Sequence, residues 1–195
     1  MHLQPPRPPP TPPLTPPLGP EDHVAGAPDA IVELVAFGDY QCPHCQAAHP
    51  VTQELIKEFN AQLRFGWRHF PLSKIHPDAR NAAMAAEACG DKFWQMHNLL
   101  FTHAGKLSRE NLLQYVGQLE MDPQTIIAAL DENRYGDLIR RHIASGLRSG
   151  VNTTPTFYIN GRRHNGGFNK LALTAALQQA IAEKSTTSAV QNPRT

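Results

Sequence analysis

The fold of this chain is decided by residues 31–45, which read IVELVAFGDYQCPHC. Residues 31–37 are mostly branched and aromatic, a composition typical of a buried strand, and Gly38 and Asp39 end that strand. The stretch that follows has the pattern of a helix, and Pro43 suits its first helical position. The sequence therefore predicts a strand that leads directly into a helix with two cysteines at its N-terminus.

The two cysteines of this stretch, Cys42 and Cys45, have the spacing of a redox pair. Side chains three residues apart share one side of a helical turn, close enough to form a disulfide. Unpaired N–H groups at the helix start favour the thiolate, which is the reactive form of cysteine. The helix end alone lowers a thiol pKa by roughly one unit. We therefore expect backbone amides and the His44 side chain to stabilise the Cys42 thiolate further, which makes the disulfide more oxidising.

Each cysteine of the pair has a predicted role. Cys42 is the expected nucleophile, and Cys45 is the expected resolving thiol that attacks the mixed disulfide. The alternative interpretation is half of a zinc site, but zinc needs about four ligands and the chain has no second Cys-x-x-Cys pair. The sequence thus predicts no metal. Cys89, in an alanine-rich helix, is expected to be a buried, inert thiol. Pro43 either only starts the helix or also limits the flexibility of the pair.

Composition limits the classes of partner. The 195 residues carry a net charge of +1, without a basic stripe, which argues against nucleic acid. No apolar run reaches the ~18 residues that span a bilayer, and the N-terminus lacks the apolar region of a secretory signal. As it stands, the sequence predicts a cytoplasmic protein, or an exported one if the true N-terminus differs. Three cysteines are too few for a disulfide scaffold.

The distribution of proline suggests three regions. Ten of the 18 prolines fall within the first 20 residues. This predicts a disordered leader over residues 1–27, which we interpret as a spacer. Residues 28–184 are long enough for one domain with a substantial core, with a helical insertion at about 73–150. Residues 185–195 are polar and are predicted to be a flexible tail.

The predicted elements alternate between strand and helix. Residues 63–70 alternate with a period of two, and the helix before them predicts a strand parallel to the first. Asn160-Gly161 is a strong hairpin signal, so the last strands are expected to be antiparallel. The predicted elements are strand 31–37, helix 42–60, strand 63–70, five helices within 76–148, strands 156–159 and 162–165, and helix 171–183. The fold class is α/β, with a mixed central sheet flanked by helices.

Five segments together resemble the DsbA-like branch of the thioredoxin superfamily. They read GDYQCPHC, RHFPL, HPDARNAAMAAEACG, KFWQMHNLLF and TPTFYINGRR, and the similarity extends from about residue 30 to 183. The resemblance implies a thioredoxin fold with an inserted helical subdomain, and a redox-active Cys42–Cys45 pair that needs no cofactor.

The resemblance also has implications for Thr154 and Pro155. It implies a cis bond before Pro155, beside the disulfide, with the backbone of Thr154 available to an extended substrate. An ordinary turn before a strand is the alternative. One position departs from the branch, whose members usually carry an acid six residues before the first cysteine. Here that position is Ala36, so water or His44 would have to move the proton of Cys45.

These features give three candidate functions. The first is a thiol–disulfide oxidoreductase that exchanges disulfides with cysteine-containing proteins, in the oxidising direction, and is recycled by a redox partner or by glutathione. The second is a glutathione-linked isomerase of the same fold, although such members usually lack the paired cysteines. The third is a peptide-binding or chaperone module whose cysteines are structural.

Overall fold

The computed structural model of the protein describes residues 11–191, with side chains up to residue 186. Residues 1–10 of the predicted leader and 192–195 of the predicted tail lie outside the described residues. The strands are β1 (His23–Gly26), β2 (Val32–Gly38), β3 (Leu63–His69), β4 (Thr156–Ile159) and β5 (Arg162–Arg163). The helices are α1 (Pro43–Phe59), α2 (Ala79–Ala88), α3 (Phe93–Thr102), α4 (Arg109–Gln118), α5 (Pro123–Asp131), α6 (Gly136–Arg148) and α7 (Lys170–Gln191).

The five strands form one mixed sheet in the order β1-β3-β2-β4-β5. Strands β2 and β3 are parallel, as the intervening helix predicts, and β4 runs antiparallel to β2. The hairpin between β4 and β5 turns at Asn160 and Gly161, whose φ angles of 47° and 77° fit the tight turn that joins twisted strands. Strand β5 ends at Arg163, two residues earlier than predicted.

Both faces of the sheet are buried, which explains why β2 is apolar at almost every position. Val32, Leu34 and Ala36 point into the larger core cluster, together with residues of α1, the helical insertion and α7. Val35 and Phe37 point to the opposite face and belong to a second cluster. The five helices from α2 to α6 lie between β3 and β4 in the chain, and they form the helical insertion of a thioredoxin fold.

Residues 11–27 differ from the predicted disordered leader. Strand β1 pairs antiparallel with β3, with His23 opposite Trp67. Leu14 is only 5% exposed, and its N–H donates to the carbonyl of Gly161 at 2.9 Å. This part of the leader is therefore packed onto the domain and extends the sheet by one strand.

A buried arginine explains why a proline-rich segment is ordered. Arg68 of β3 donates to the carbonyls of Pro16 and Pro17 at 2.8 and 2.9 Å. It also donates to both carboxylate oxygens of Asp22 at 2.7 Å, and to Ser145 Oγ at 2.8 Å. Proline lacks an N–H but keeps its carbonyl acceptor, so a guanidinium with five donors can hold such a chain.

The C-terminal end also differs from the prediction. Helix α7 continues to Gln191, where a flexible tail was predicted from residue 185. In the stretch from residue 11 to 191, no helix combines the length and the apolar character needed to cross a bilayer.

Candidate active site

The cysteine pair lies at the start of α1, where the sequence predicts it. Cys42 is the N-cap residue with extended backbone angles, and Pro43 follows as the first helical residue. The N–H of Gln46 donates to the carbonyl of Cys42 at 3.0 Å, which closes the first turn. Cys42 and Cys45 are free thiols and are 4% and 3% exposed. The pair is therefore present as a buried dithiol.

The loop before β4 brings Thr154 and Pro155 to the pair. The Cys42 thiol donates to the carbonyl of Thr154 at 3.4 Å, and the Thr154–Pro155 peptide bond is cis. The Thr154 hydroxyl is buried and has no partner among the described groups while both thiols are protonated. A Cys42 thiolate would accept a hydrogen bond from it. The predicted substrate-binding residues and the predicted nucleophile thus form one site.

The two thiols have opposite pKa shifts. The pKa of Cys42 falls from 9.0 to about 5, chiefly because the Cys45 thiol donates to its sulfur; burial opposes this shift. The Thr154 hydroxyl and the N–H groups of Cys45 and His44 add to the lowering. Burial is the main reason why the pKa of Cys45 is raised, and its hydrogen bond to Cys42 raises it further. These shifts favour the thiolate at Cys42 and the protonated thiol at Cys45, in the direction that the predicted roles require.

A Thr154→Val variant is expected to raise the pKa of Cys42 by about one unit. Valine keeps the shape of threonine but lacks its hydroxyl, and a hydrogen bond to a charged group contributes ~1.5–3 kcal/mol. The ultraviolet absorbance of the thiolate, followed against pH, measures this shift. Thr153→Val is the matched control, because Thr153 is exposed. Equal midpoints in the two variants would contradict the role of the Thr154 hydroxyl.

His44 contributes in a different way from the predicted one. Its side chain is exposed, and its ring lies edge-on to Phe168 with the centroids 6.0 Å apart. The part of His44 that helps to lower the pKa of Cys42 is its backbone N–H. The sequence predicts stabilisation by backbone amides and by the His44 side chain, and the structure supplies the backbone contribution.

The carboxylate of Asp39, which lies near the pair in the sequence, is hydrogen-bonded to groups other than Cys45. Ala36 lies in the wall of a small cavity beside Cys45. The Asp39 carboxylate accepts the N–H of Leu72 at 2.8 Å and lies 2.8 Å from His76 Nδ1. Only the backbone N–H of Asp39 contacts Cys45, at 3.5 Å from its sulfur. Asp39 therefore does not replace the carboxyl group that members of the branch usually carry near the second cysteine.

A buried polar cluster lies behind β3. Glu87 lies 2.7 Å from His69 Nε2 and 2.8 Å from His23 Nε2, and His142 completes a group with the spacing of metal ligands. Trp67 donates to His69 Nδ1, and the N–H of His69 donates to His142 Nδ1. Because Nδ1 of His69 and Nδ1 of His142 each accept a hydrogen bond, the proton of each of these two rings lies on Nε2. These residues are therefore joined in a hydrogen-bond network.

Sequence reasoning missed this cluster. Burial by itself raises the pKa of Glu87, but the hydrogen bonds from His23 and His69 outweigh it and lower that pKa to about 2. The histidines come from separate elements, so no spacing reveals them. The sequence feature that could have revealed the cluster is Glu87, the single acid in the alanine-rich helix α2. A buried carboxylate is rarely unpaired, so Glu87 indicates a polar partner.

Cys89 is buried in the helical insertion and lies far from the Cys42–Cys45 pair in the sequence. Its thiol donates to the carbonyl of Ala85 at 3.2 Å, and burial raises its pKa to about 12. It therefore remains a protonated thiol at physiological pH.

Comparisons with known proteins agree with the architecture. The sequence model of the family described as Thioredoxin matches residues 19–181. The Na(+)/H(+) antiporter NhaA 1 of Salinispora arenicola is 43% identical over 163 residues, which cover 83% of this chain and 25% of that protein. The chain thus spans about a quarter of the length of the curated relatives it matches.

Two solved structures are also similar. A thioredoxin-like oxidoreductase from Silicibacter pomeroyi has a TM-score of 0.74 at 25% identity, covering 83% of this chain and 93% of that chain. The alpha-DsbA1 of Wolbachia pipientis has a TM-score of 0.76 at 18% identity, covering 88% of this chain and 96% of that chain. The family model matches most of the chain and the two structures share its fold, so the chain belongs to the thioredoxin family.

Proposed function

We propose that this domain is a thiol–disulfide oxidoreductase that oxidises cysteine-containing proteins through the Cys42–Cys45 pair. The observation that supports this proposal most strongly is the position of the free Cys42 thiol, at the N-cap of α1 and against the carbonyl that precedes cis-Pro155. In this position its pKa is lowered to about 5. A stabilised thiolate stabilises the reduced pair, and a pair that is stable when reduced has an oxidising disulfide.

The reaction follows from the different environments of the two sulfurs. A substrate thiolate attacks Cys42, the Cys42–Cys45 bond breaks, and Cys45 leaves with the electron pair and takes up a proton. A second substrate thiolate then attacks the substrate sulfur of the mixed disulfide and releases Cys42 as its stabilised thiolate. The substrate loses two electrons to form its disulfide, and the pair gains them. A redox partner or glutathione is proposed to return the pair to the disulfide.

A groove beside the pair fits an extended protein substrate. It has a volume of about 220 Å³ and is lined by Pro155, Phe168 and Arg163, among others. The carbonyl of Thr154 already accepts the Cys42 thiol, so this backbone lies where a substrate chain would approach the disulfide. We propose that Thr154 pairs with the substrate by main-chain hydrogen bonds, as in strand addition.

A reduction potential tests the direction of the reaction. At pH 7, a pKa of about 5 favours the Cys42 thiolate over the thiol by roughly 100-fold, which corresponds to ~60 mV in favour of oxidation. We expect the pair, equilibrated with glutathione buffers, to titrate about 60 mV above the roughly −270 mV of thioredoxin, in the direction of a strong oxidant. A value near that of thioredoxin would reverse the proposed direction without affecting the exchange chemistry.

The remaining interpretations are separate proposals. The antiporter name belongs to a protein four times as long as the matched segment, and the proposed function rests on the cysteine pair of this chain. The predicted cytoplasmic or exported location stays a prediction. A peptide-binding module with structural cysteines is distinguished from the enzyme by the Cys42 variant described in the Discussion.

A further inference from the structure

A small cavity lies in the interior beside Cys45. Its walls are mostly apolar, and Cys45, His49, Thr52 and His97 are the polar exceptions. The space open to the centre of a water molecule is about 10 Å³. A volume of this size holds about one water molecule.

His49 faces this cavity with an unsatisfied nitrogen. Its Nδ1 is buried, and no described group lies within hydrogen-bond distance of it. The ring stacks on Phe101 with the centroids 4.7 Å apart, and His97 packs against its edge at 5.2 Å. His49 follows Cys45 by four residues on α1, which places both side chains on the same face of the helix. His49 and Cys45 therefore line the same cavity, and the buried Nδ1 is the ring atom without a partner.

The other polar groups of the cavity already have partners. The Thr52 hydroxyl donates to the carbonyl of His49 at 2.8 Å, and His97 Nδ1 lies 2.9 Å from the hydroxyl of Tyr40. Burial lowers the pKa of His97 well below its usual value, so it stays neutral. Among the described cavity groups, His49 Nδ1 is thus the buried polar atom without a partner, while the Cys45 thiol donates to Cys42 and its sulfur can still accept a hydrogen bond.

We propose that His49 moves the proton of Cys45 through one water molecule in this cavity, in place of the acid that Ala36 lacks. The proposal deepens the proposed function and rests on it. When Cys45 leaves the disulfide as a thiolate, the water gives it a proton, His49 gives its Nδ1 proton to the water, and Nε2 takes one from solvent. When Cys45 attacks a mixed disulfide, the same transfers run in reverse.

The chemistry of His49 suits such a relay. Burial lowers its pKa to about 4, so at physiological pH the ring is neutral and carries one N–H and one lone pair. His49 is partly exposed although its Nδ1 is buried, so the ring lies between the cavity and the surface. The titratable groups that face it are Cys45, on the same helix, and His97, from α3. Cys42 and Tyr40 lie one contact further away.

Ellman's reagent tests the relay in a single mixing experiment. Added in equimolar amount to the reduced protein, it releases one coloured thiolate when Cys42 is labelled and a second when Cys45 attacks the mixed disulfide. In His49→Gln we expect the first phase to be unchanged and the second to slow by about tenfold or more, since general acid–base catalysis is worth at least that much. His103→Gln, at a partly exposed histidine outside the cavity, is the matched control and should leave both phases unchanged.

The pH dependence separates a relay from a structural effect. Between pH 5 and 8 the second phase of the wild-type protein should vary little, because the base is already neutral. In His49→Gln it should rise about tenfold per pH unit, because solvent hydroxide must then remove the proton. The second wild-type phase should also show a solvent deuterium isotope effect that the first phase lacks.

The negative results of this experiment distinguish the proposed function from the relay. Absence of the first phase in the wild-type protein would overturn the proposed function. A second phase with the same rate and pH dependence in His49→Gln as in the wild type would overturn the relay alone. If the variant does not fold, the absence of the isotope effect in the wild-type protein overturns the relay.

Discussion

Replacing Cys42 by serine is expected to reduce thiol–disulfide exchange to the rate of the uncatalysed reaction. Removal of a catalytic nucleophile typically lowers the rate by on the order of a thousandfold or more. A serine hydroxyl stays protonated at neutral pH, so the backbone N–H groups and the Thr154 hydroxyl that stabilise the Cys42 thiolate have no anion to bind. Reduction of insulin and oxidative refolding of a reduced protein measure the two directions of exchange.

Cys45→Ser is expected to behave differently from Cys42→Ser. It keeps the attacking thiol but removes the resolving one, so the protein should accumulate as a mixed disulfide that mass spectrometry detects. Cys45→Ala, which also lacks the donor that serine retains, should raise the pKa of Cys42, because the hydrogen bond from residue 45 is the largest cause of the low value.

Cys89→Ser is the matched control for both cysteine variants. Cys89 is buried and its pKa is raised to about 12, so the substitution should leave exchange unchanged. Exchange that survives in Cys42→Ser would contradict the catalytic role and support a peptide-binding module with structural cysteines.

Arg68→Met is expected to destabilise the domain by about 3–5 kcal/mol, the usual effect of removing one partner from a buried ion pair. Arg68 is 2% exposed, and the carboxylate of Asp22 that it binds is 6% exposed. Methionine fills part of the volume but leaves the Asp22 carboxylate without its guanidinium partner and two proline carbonyls without that donor, although the N–H of Gly19 still donates to Asp22. Urea denaturation measures the free energy of unfolding.

Two further variants make the Arg68 experiment specific. In Arg109→Met the lost ion pair with Asp131 is exposed, so stability should change little. Combining Arg68→Met with Asp22→Leu should recover part of the loss, because an apolar pair often replaces a buried ion pair well. An Arg68→Met protein as stable as Arg109→Met would show that Arg68 does not hold the N-terminal segment in place.

Local sequence signals were enough for the elements that form the centre of the fold. Strand β2, helix α1 and strand β3 follow from apolar periodicity and from a proline at the first helical position. The Asn160-Gly161 hairpin follows from turn chemistry that needs no tertiary contact. Each of these features depends on neighbouring residues in the chain.

The features that sequence reasoning missed depend on distant residues. Residues 11–27 are held by Arg68, about 50 positions later, and proline content alone cannot reveal that guanidinium. The exposed position of the His44 ring depends on contacts such as that with Phe168, which the sequence does not reveal. His49 is one of several scattered histidines in the sequence, and the structure places it in the wall of the same cavity as Cys45. The network around Glu87 likewise joins histidines from separate elements.

Strand β1 limits how far the domain can be shortened at its N-terminal side. It covers the outer edge of β3, whose residues Leu63–His69 are largely buried. A fragment that begins at residue 28, the boundary that the sequence alone suggests, would leave that edge with unpaired N–H and C=O groups. Bare apolar edges recruit strands from other molecules and cause aggregation. The short strand beside the proline-rich segment thus shields the sheet from self-association, and a shortened protein has to keep it.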